Sequence, residues 1–294
     1  MGFDRAFSHF SLASRRDNNY YYLMPELPEV ESVRRTLAPR LVGWVVSQVR
    51  IGLAKLARPS PQALTQGIRG QKVQNIGRHG KLLILELAQG GFWTIHLGMT
   101  GQLIMANERP RAGHVHITVS FADHGPRLYY RDLRQFGGMT YCPDQEALDS
   151  GPLANMGPDA LGLERNLFIS RLAGRRAPLK SLLLDQRVLA GVGNIYADEA
   201  LHRAGLHPTS RPAELSAKQL ADLHRHLQET LTEALARGGS SVRNFVDAEG
   251  RPGTFQHAHR VYRRTGLPCP ACGSPVQRIV LAGRSTHFCP HCQG

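Results

Sequence analysis

The chain has 294 residues and carries 36 Lys and Arg against 23 Asp and Glu, a formal net charge of +13. With 41% hydrophobic residues, and 18 Pro and 30 Gly scattered rather than repeated, it is long and apolar enough for two folded domains, which excludes global disorder and collagen-like or low-complexity classes. Apolar runs such as 82–85 and 91–97 fall far short of the ~20 residues that cross a bilayer, so no membrane partner is expected, and the cationic excess points to a polyanion such as nucleic acid.

Residues 1–23 are polar and aromatic, lack periodicity, and contain neither the apolar core nor the cleavage site of a signal peptide. They read as an extension outside the mature protein, with Met24 as the start and a cytoplasmic location. In the stretch that follows, Pro28 suits a first helical turn, and Val30, Val33, Leu37 and Leu41 recur at helical spacing. Eight short, partly alternating segments come next, at 44–51, 72–76, 81–87, 92–97, 102–105, 114–121, 128–132 and 136–141, each bounded by Gly, Asp or Pro. They predict an antiparallel β-sandwich domain over 25–141, preceded by one helix.

Beyond it, 142–165 is loop-rich and reads as a linker. Helical patterns follow at 167–173, 179–184, 194–204 and 216–237, the last opened by a Ser216/Gln219 capping box and closed at Gly238-Gly239. Asp185 to Gly193 is too long for an ordinary helix-turn-helix turn, yet it sets glycines at a helix N-terminus, where backbone amides hold phosphate. A helical DNA-binding domain is therefore expected over 166–240. From Gly250 to Gly294 there are six Arg and no Asp or Glu.

Four of the five cysteines end the chain as Cys269-x2-Cys272-x16-Cys289-x2-Cys292. Two such knuckles complete a tetrahedral thiolate shell, so 269–294 reads as a finger around one structural zinc ion. His287 and His291 are then surplus and are expected at the surface. Cys142 reads as a small buried apolar residue. Arg284 falls near the tip of a hairpin predicted from 276–281 and 286–288.

The most informative stretch is Met24-Pro25-Glu26-Leu27-Pro28-Glu29. Were the chain to start at Met24 and lose it, Pro25 would be an N-terminal secondary amine, nucleophilic near neutral pH. Glu26 and Glu29 would lie within reach as acids if shielded from water. The plain alternative is a Pro-rich lead-in to a helix with solvated glutamates.

This start, together with Gly80-Lys81-Leu82-Leu83, His96-Leu97-Gly98-Met99-Thr100-Gly101, Gly191-Val192-Gly193-Asn194-Ile195-Tyr196 and the four-cysteine element, resembles bacterial formamidopyrimidine-DNA glycosylases from Met24 to Gln293. Endonuclease VIII is the near relative, but its start usually has Gly where Leu27 stands. The resemblance implies an α+β, two-domain fold with a helix-two-turn-helix and a C-terminal zinc finger. It implies a monomeric glycosylase and AP lyase on double-stranded DNA damaged at purines (8-oxoguanine, formamidopyrimidines), cutting by β,δ-elimination. Pro25 matches the Schiff-base nucleophile, Glu26 the proton donor, Lys81 the donor for β-elimination, and Arg284 the arginine of δ-elimination. His96, His114, Arg134, Arg175 and Asn194 match DNA contacts, with Arg176 an alternative to Arg175. Met99, Arg134 and Phe136 match the trio that fills the hole left by a flipped base, and 241–268 matches the loop over that base, where Gly250 and Gly253 suit a flexible lid. Where the family commonly has Asp-Pro-Arg-Arg-Phe-Gly, this chain reads Asp132-Leu133-Arg134-Gln135-Phe136-Gly137, keeping Arg134 and Phe136. The extension is the larger departure, since a chain starting at Met1 holds Pro25 as an amide; a non-catalytic damaged-DNA-binding paralogue is the rival that follows.

Overall fold

The computed structural model describes residues 24–123, 125–242 and 245–294; the extension 1–23 lies outside the described residues. Helix α1 (Leu27–Leu41) starts two residues before the predicted Glu29, with Pro28 in its first turn. Its apolar face, Leu27, Val30, Val33, Leu37 and Leu41, is at most 1% exposed.

Among the described residues, nine strands follow in the first half: β1 (Val46–Ile51), β2 (Ala57–Arg58), β3 (Val73–His79), β4 (Leu82–Leu87), β5 (Phe92–His96), β6 (Gly101–Ala106), β7 (Val115–Phe121), β8 (Arg127–Asp132) and β9 (Gly138–Cys142). They make two sheets, ordered β1-β7-β8-β6 and β2-β9-β5-β4-β3. All pairings are antiparallel except that of β2 with β9. Alternation puts Ile117, Val119, Phe121, Leu128 and Tyr130 of one sheet, and Leu83, Leu85, Trp93, Ile95 and Met139 of the other, into a single core with α1. Full burial of each large apolar side chain contributes roughly 1.5–3 kcal/mol.

The second half is helical: α3 (Gln145–Ser150), α4 (Arg165–Leu172), α5 (Leu179–Leu184), α6 (Asn194–Arg203) and α7 (Ala217–Ala236). The predicted capping box forms, with Ser216 Oγ accepting from Gln219 N–H at 3.2 Å and Gln219 Oε1 accepting from Ser216 N–H at 2.9 Å. Phe168, Leu183, Tyr196, Leu223, Leu227 and Leu231 form this half's own core. The finger adds the hairpin of β10 (Gln277–Leu281) and β11 (Arg284–Phe288). The fold is thus α+β, a β-sandwich followed by a helical domain and a C-terminal four-cysteine element.

The halves exchange residues. Leu27 of α1 is buried in the helical core, and Ala248 from the loop after α7 is buried in the sandwich core. Three features depart from the sequence reading. Helix α2 (Pro61–Ile68), capped by Ser60 accepting from Ala63 N–H at 3.1 Å, stands between two predicted strands where no element was expected, and helix α3, capped by Asp144 accepting from Ala147 N–H at 2.8 Å, stands in the segment read as loop. His287 is 5% exposed rather than at the surface, because Asp198 of α6 accepts from its ring at 3.0 Å; His291 is exposed as expected. Gly253 serves close packing, since a Cβ there would lie 2.2 Å from the carbonyl oxygen of Gly239. Cys142 is buried, 2% exposed, as read from the sequence.

Candidate active site

The first turn of α1 meets the N-terminus of α6. Glu26 is 2% exposed, and its carboxylate accepts from the N–H groups of Ile195 at 3.0 Å and Tyr196 at 3.4 Å. These are orphan donors of a helix start, where the helix dipole favours negative charge. Gly193 makes the approach possible: a Cβ there would sit 2.2 Å from the Glu26 carboxyl carbon. Burial nevertheless dominates, and it pushes the Glu26 carboxyl up to about 7 against the opposing pull of Lys81 and the two amides. Pro25, one residue earlier, is buried in the same junction.

Glu29 stands behind Glu26. It accepts from Glu26 N–H at 2.8 Å, Tyr196 Oη–H at 2.5 Å and Ser240 N–H at 2.6 Å, and burial raises its carboxyl too. Lys81 is 8% exposed in the turn between β3 and β4. Burial lowers its ammonium, with Glu26 and Glu29 acting the other way. The turn itself is clamped, because Arg78 donates to Gly80 O at 2.7 Å while Asp159 accepts from Gly80 N–H at 2.6 Å and from Arg78 at 2.5 Å.

His96 ends β5 and is held neutral, its imidazole brought down to about 4 by burial and then by Lys81 and Arg58. Gly98 N–H donates to its Nδ1 at 3.0 Å, so the ring proton belongs on Nε2, which is a neutral donor.

The turns at 97–101 and 133–137 lie side by side and carry the predicted trio. Met99 is half-buried, Phe136 is 58% exposed, and the Arg134 guanidinium stands 4.8 Å over the Phe136 ring. Phe136 is thus no core residue. His114, exposed and in the left-handed region at φ 69°, closes this edge. Arg175 is exposed between α4 and α5, its Nε donating to Arg171 O at 2.7 Å; Arg176 beside it is exposed as well.

Helix α6 also carries the finger. Asn194 Nδ2 donates to Ser285 O at 2.9 Å, next to the exposed Arg284. Asp198 pairs with buried Lys180 and accepts from His287 N–H at 3.0 Å. Glu199 accepts from the N–H groups of Arg260, Val261 and Tyr262 at 2.8–3.0 Å. His202 Nε2 lies 3.3 Å from Cys269 Sγ. The four sulfurs of Cys269, Cys272, Cys289 and Cys292 fall within 4.8 Å of one another, with close pairs at 3.4 and 3.9 Å. A tetrahedral zinc with bonds of about 2.3 Å needs sulfurs nearly this far apart, so the donor set fits zinc.

Family models match three successive parts of the chain: the formamidopyrimidine-DNA glycosylase N-terminal domain at 24–139, the H2TH domain of the same enzymes at 156–246, and a zinc finger found in FPG and IleRS at 266–294. The formamidopyrimidine-DNA glycosylase of Solibacter usitatus is 42% identical over 271 residues, covering 92% of this chain and 99% of the relative. That of Heliobacterium modesticaldum is 45% identical, over 92% of this chain and all of the relative. This chain belongs to the formamidopyrimidine-DNA glycosylase family. Two solved family members superpose closely: the Lactococcus lactis protein in complex with abasic-site DNA (TM-score 0.84, 36% identity, 91% of this chain and 99% of that one) and the Thermus thermophilus protein (0.83, 41%, 92% and 99%).

Against this family frame, the structure gathers Pro25, Glu26, Lys81 and the Arg284 hairpin around the start of α6. It keeps Met99, Arg134, Phe136 and His114 together on the sandwich edge, and Arg175 apart on the helical domain. The sequence reading passed over Tyr196, Asp198, Glu199, Lys180 and Asp132, all at most 1% exposed. For Asp198 and Glu199 the signal is that α6 carries charged residues on faces where Ala197, Ala200 and Leu201 are fully buried.

Proposed function

We propose that this protein is a bifunctional DNA glycosylase and AP lyase of base excision repair, a cytoplasmic monomer acting on oxidised purines in double-stranded DNA. The observation that carries the reading is the Glu26 carboxyl, buried beside Pro25 and titrating near 7, where an acid is half protonated at working pH. The Pro25 amine attacks C1′ of the damaged nucleotide. The bond from C1′ to the base breaks and the base leaves with a proton from the acid; the carboxylate so formed takes the proton of the amine and returns it to O4′ as the C1′–O4′ bond breaks, leaving the ring-opened iminium. Loss of a C2′ proton then expels the 3′ phosphate, and a second elimination expels the 5′ phosphate.

Lys81 and Arg284 flank the same point, the first as a buried ammonium suited to phosphate and proton transfer, the second as an exposed guanidinium. His96 Nε2–H, His114, Arg175 and Asn194 supply further phosphate contacts, while Met99, Arg134 and Phe136 enter the stack. The zinc is single and structural: it holds the Arg284 hairpin. The loop over the flipped base is assigned to the segment 241–268, of which residues 243 and 244 lie outside the described residues. Oxidised purines are favoured because mutants of the Lactococcus lactis relative were solved in complex with Fapy-dG containing DNA. The mechanism requires a free amine on Pro25, hence a mature chain beginning there; the family match begins at Met24.

Borohydride trapping on an 8-oxoguanine duplex, with peptide mapping, tests this. A crosslink on a peptide beginning at Pro25 is expected. No crosslink from zinc-loaded protein starting at Met24 would make it a binding protein, and faster excision of thymine glycol would reassign it to oxidised pyrimidines.

A further inference from the structure

Asp132 ends β8 with its side chain fully buried. Its carboxylate accepts three hydrogen bonds from neutral donors: Thr100 Oγ1–H at 2.5 Å on Oδ1, and Gly137 N–H at 3.0 Å and Tyr130 Oη–H at 3.2 Å on Oδ2. Thr100 Oγ1 in turn accepts from Arg134 N–H at 2.9 Å. The backbone of Asp132 continues the pattern, donating to His114 O at 3.0 Å and accepting from His116 Nε2 at 2.9 Å. The carboxylate therefore ties the Met99 turn to the Arg134 and Phe136 turn, and the backbone of the same residue ties both to the segment at His114.

These turns need such a pin. Phe136 points largely into solvent and Met99 is half-buried, so core packing does not set their height above the sandwich. The backbones touch, since a Cβ on Gly98 would lie 2.5 Å from Gly137 N, and Gln135 sits in the left-handed region at φ 60°. A turn that is strained and unsupported by apolar contacts keeps its shape through hydrogen bonds to a fixed acceptor.

We propose that Asp132, through Thr100, is the positioning residue of the wedge: it holds Met99, Arg134 and Phe136 at the height at which they enter the duplex, and thereby controls base extrusion rather than chemistry at C1′. This rests on the reading of those three residues as the stack-filling trio. Asp132→Asn keeps the volume but puts an amide donor in place of one acceptor oxygen, facing either Thr100 or the Gly137 and Tyr130 pair, and Thr100→Val removes the hydroxyl that links Oδ1 to Arg134 N–H. Thr100→Ser keeps that hydroxyl.

The test pairs two readouts on protein starting at Pro25: stopped-flow extrusion, followed with a fluorescent purine beside 8-oxoguanine, and strand cutting at a preformed abasic site, which has no base to extrude. Asp132→Asn and Thr100→Val are expected to slow extrusion and base release by about tenfold or more, with abasic cutting changed by less than about threefold and Thr100→Ser close to wild type. Equal losses in both readouts would make the role merely structural and overturn the proposal. Wild-type extrusion in both variants, with slow extrusion in Phe136→Ala, would overturn it while leaving the wedge intact. No effect of Phe136→Ala would overturn the wedge reading itself. Should Asp132→Asn fail to fold, the Thr100 pair carries the same test.

Discussion

The sandwich and the finger each carry an exposed turn, and they hold it by opposite means. The Met99 and Phe136 turns stand on a continuous apolar core that runs from α1 through both sheets, with polar pins only at the last step. The Arg284 hairpin stands on little that is apolar: Val261, Cys269, Val276 and Cys289 form a small buried cluster, and Phe288 is buried against His207. Its position comes from four sulfurs and from the polar side chains of α6. A core that large resists any single loss, whereas the finger concentrates its stability in a few groups.

The sharpest way to break the comparison is to take the zinc away. Structural zinc is worth roughly 10–16 kcal/mol in small fingers, far more than the four buried residues supply. Chelation, or Cys289→Ala, is expected to unravel 269–294 and weaken duplex binding by more than about a hundredfold, while the fluorescence of buried Trp93 is unchanged. Loss of the Trp93 signal together with the metal would show the two regions to be one cooperative unit.

Next in size is Asp198→Ala. It leaves Lys180, 1% exposed, without its carboxylate, and strips two hydrogen bonds from His287. Removing one partner of a buried pair costs about 3–5 kcal/mol. Urea unfolding measures it, and a cost near zero would mean that the buried Lys180–Asp198 pair adds nothing to the hold on the finger.

The same contrast explains what the sequence revealed. Local patterns were legible: each of the eight predicted strands is present, the Ser216/Gln219 cap closes as read, and the cysteine spacing brings four sulfurs together. Two helices were overlooked although their start signals were local too, Ser60 before Pro61 and Asp144 before Gln145. The buried polar contacts were not legible, because they join residues far apart in the chain. Glu26 meets Ile195 across 169 residues, and Asp198 meets His287 across 89. No periodicity in either segment announces such a partner, so Glu26 reads as a solvated lead-in residue until α6 covers it.

That covering has a thermodynamic signature. An ordinary glutamate titrates near 4.5, and Glu26 is pushed up to about 7 in the folded protein. Between these values the folded state binds more protons than the unfolded one, so this group's contribution to stability falls as pH rises from about 4.5 to about 7, then levels off. The whole change is on the order of 3 kcal/mol. Glu26→Gln removes it: relative to wild type, the variant should gain about 2–3 kcal/mol in urea unfolding between pH ~4.5 and ~9. A difference independent of pH would mean that water reaches the carboxylate. Base release by the wild type should decline above pH ~7 as the donor loses its proton.

The smallest effect lies at the other end of the same helix. His202, 4% exposed in the last turn of α6, brings Nε2 to 3.3 Å from Cys269 Sγ. Four thiolates around one zinc leave a net negative cluster, and a helix C-terminus repels negative charge. A neutral N–H pointed at one sulfur offsets that repulsion and fixes the ligand's orientation. His202→Phe keeps the ring and removes the donor; zinc affinity, measured by competition with a chromogenic chelator, should fall about tenfold to a hundredfold. His202→Gln, which restores an N–H, should recover part of that loss. Were His202→Phe to hold zinc as tightly as wild type, the polar mode of attachment that sets the finger apart from the sandwich would reduce to Asn194, Asp198 and Glu199.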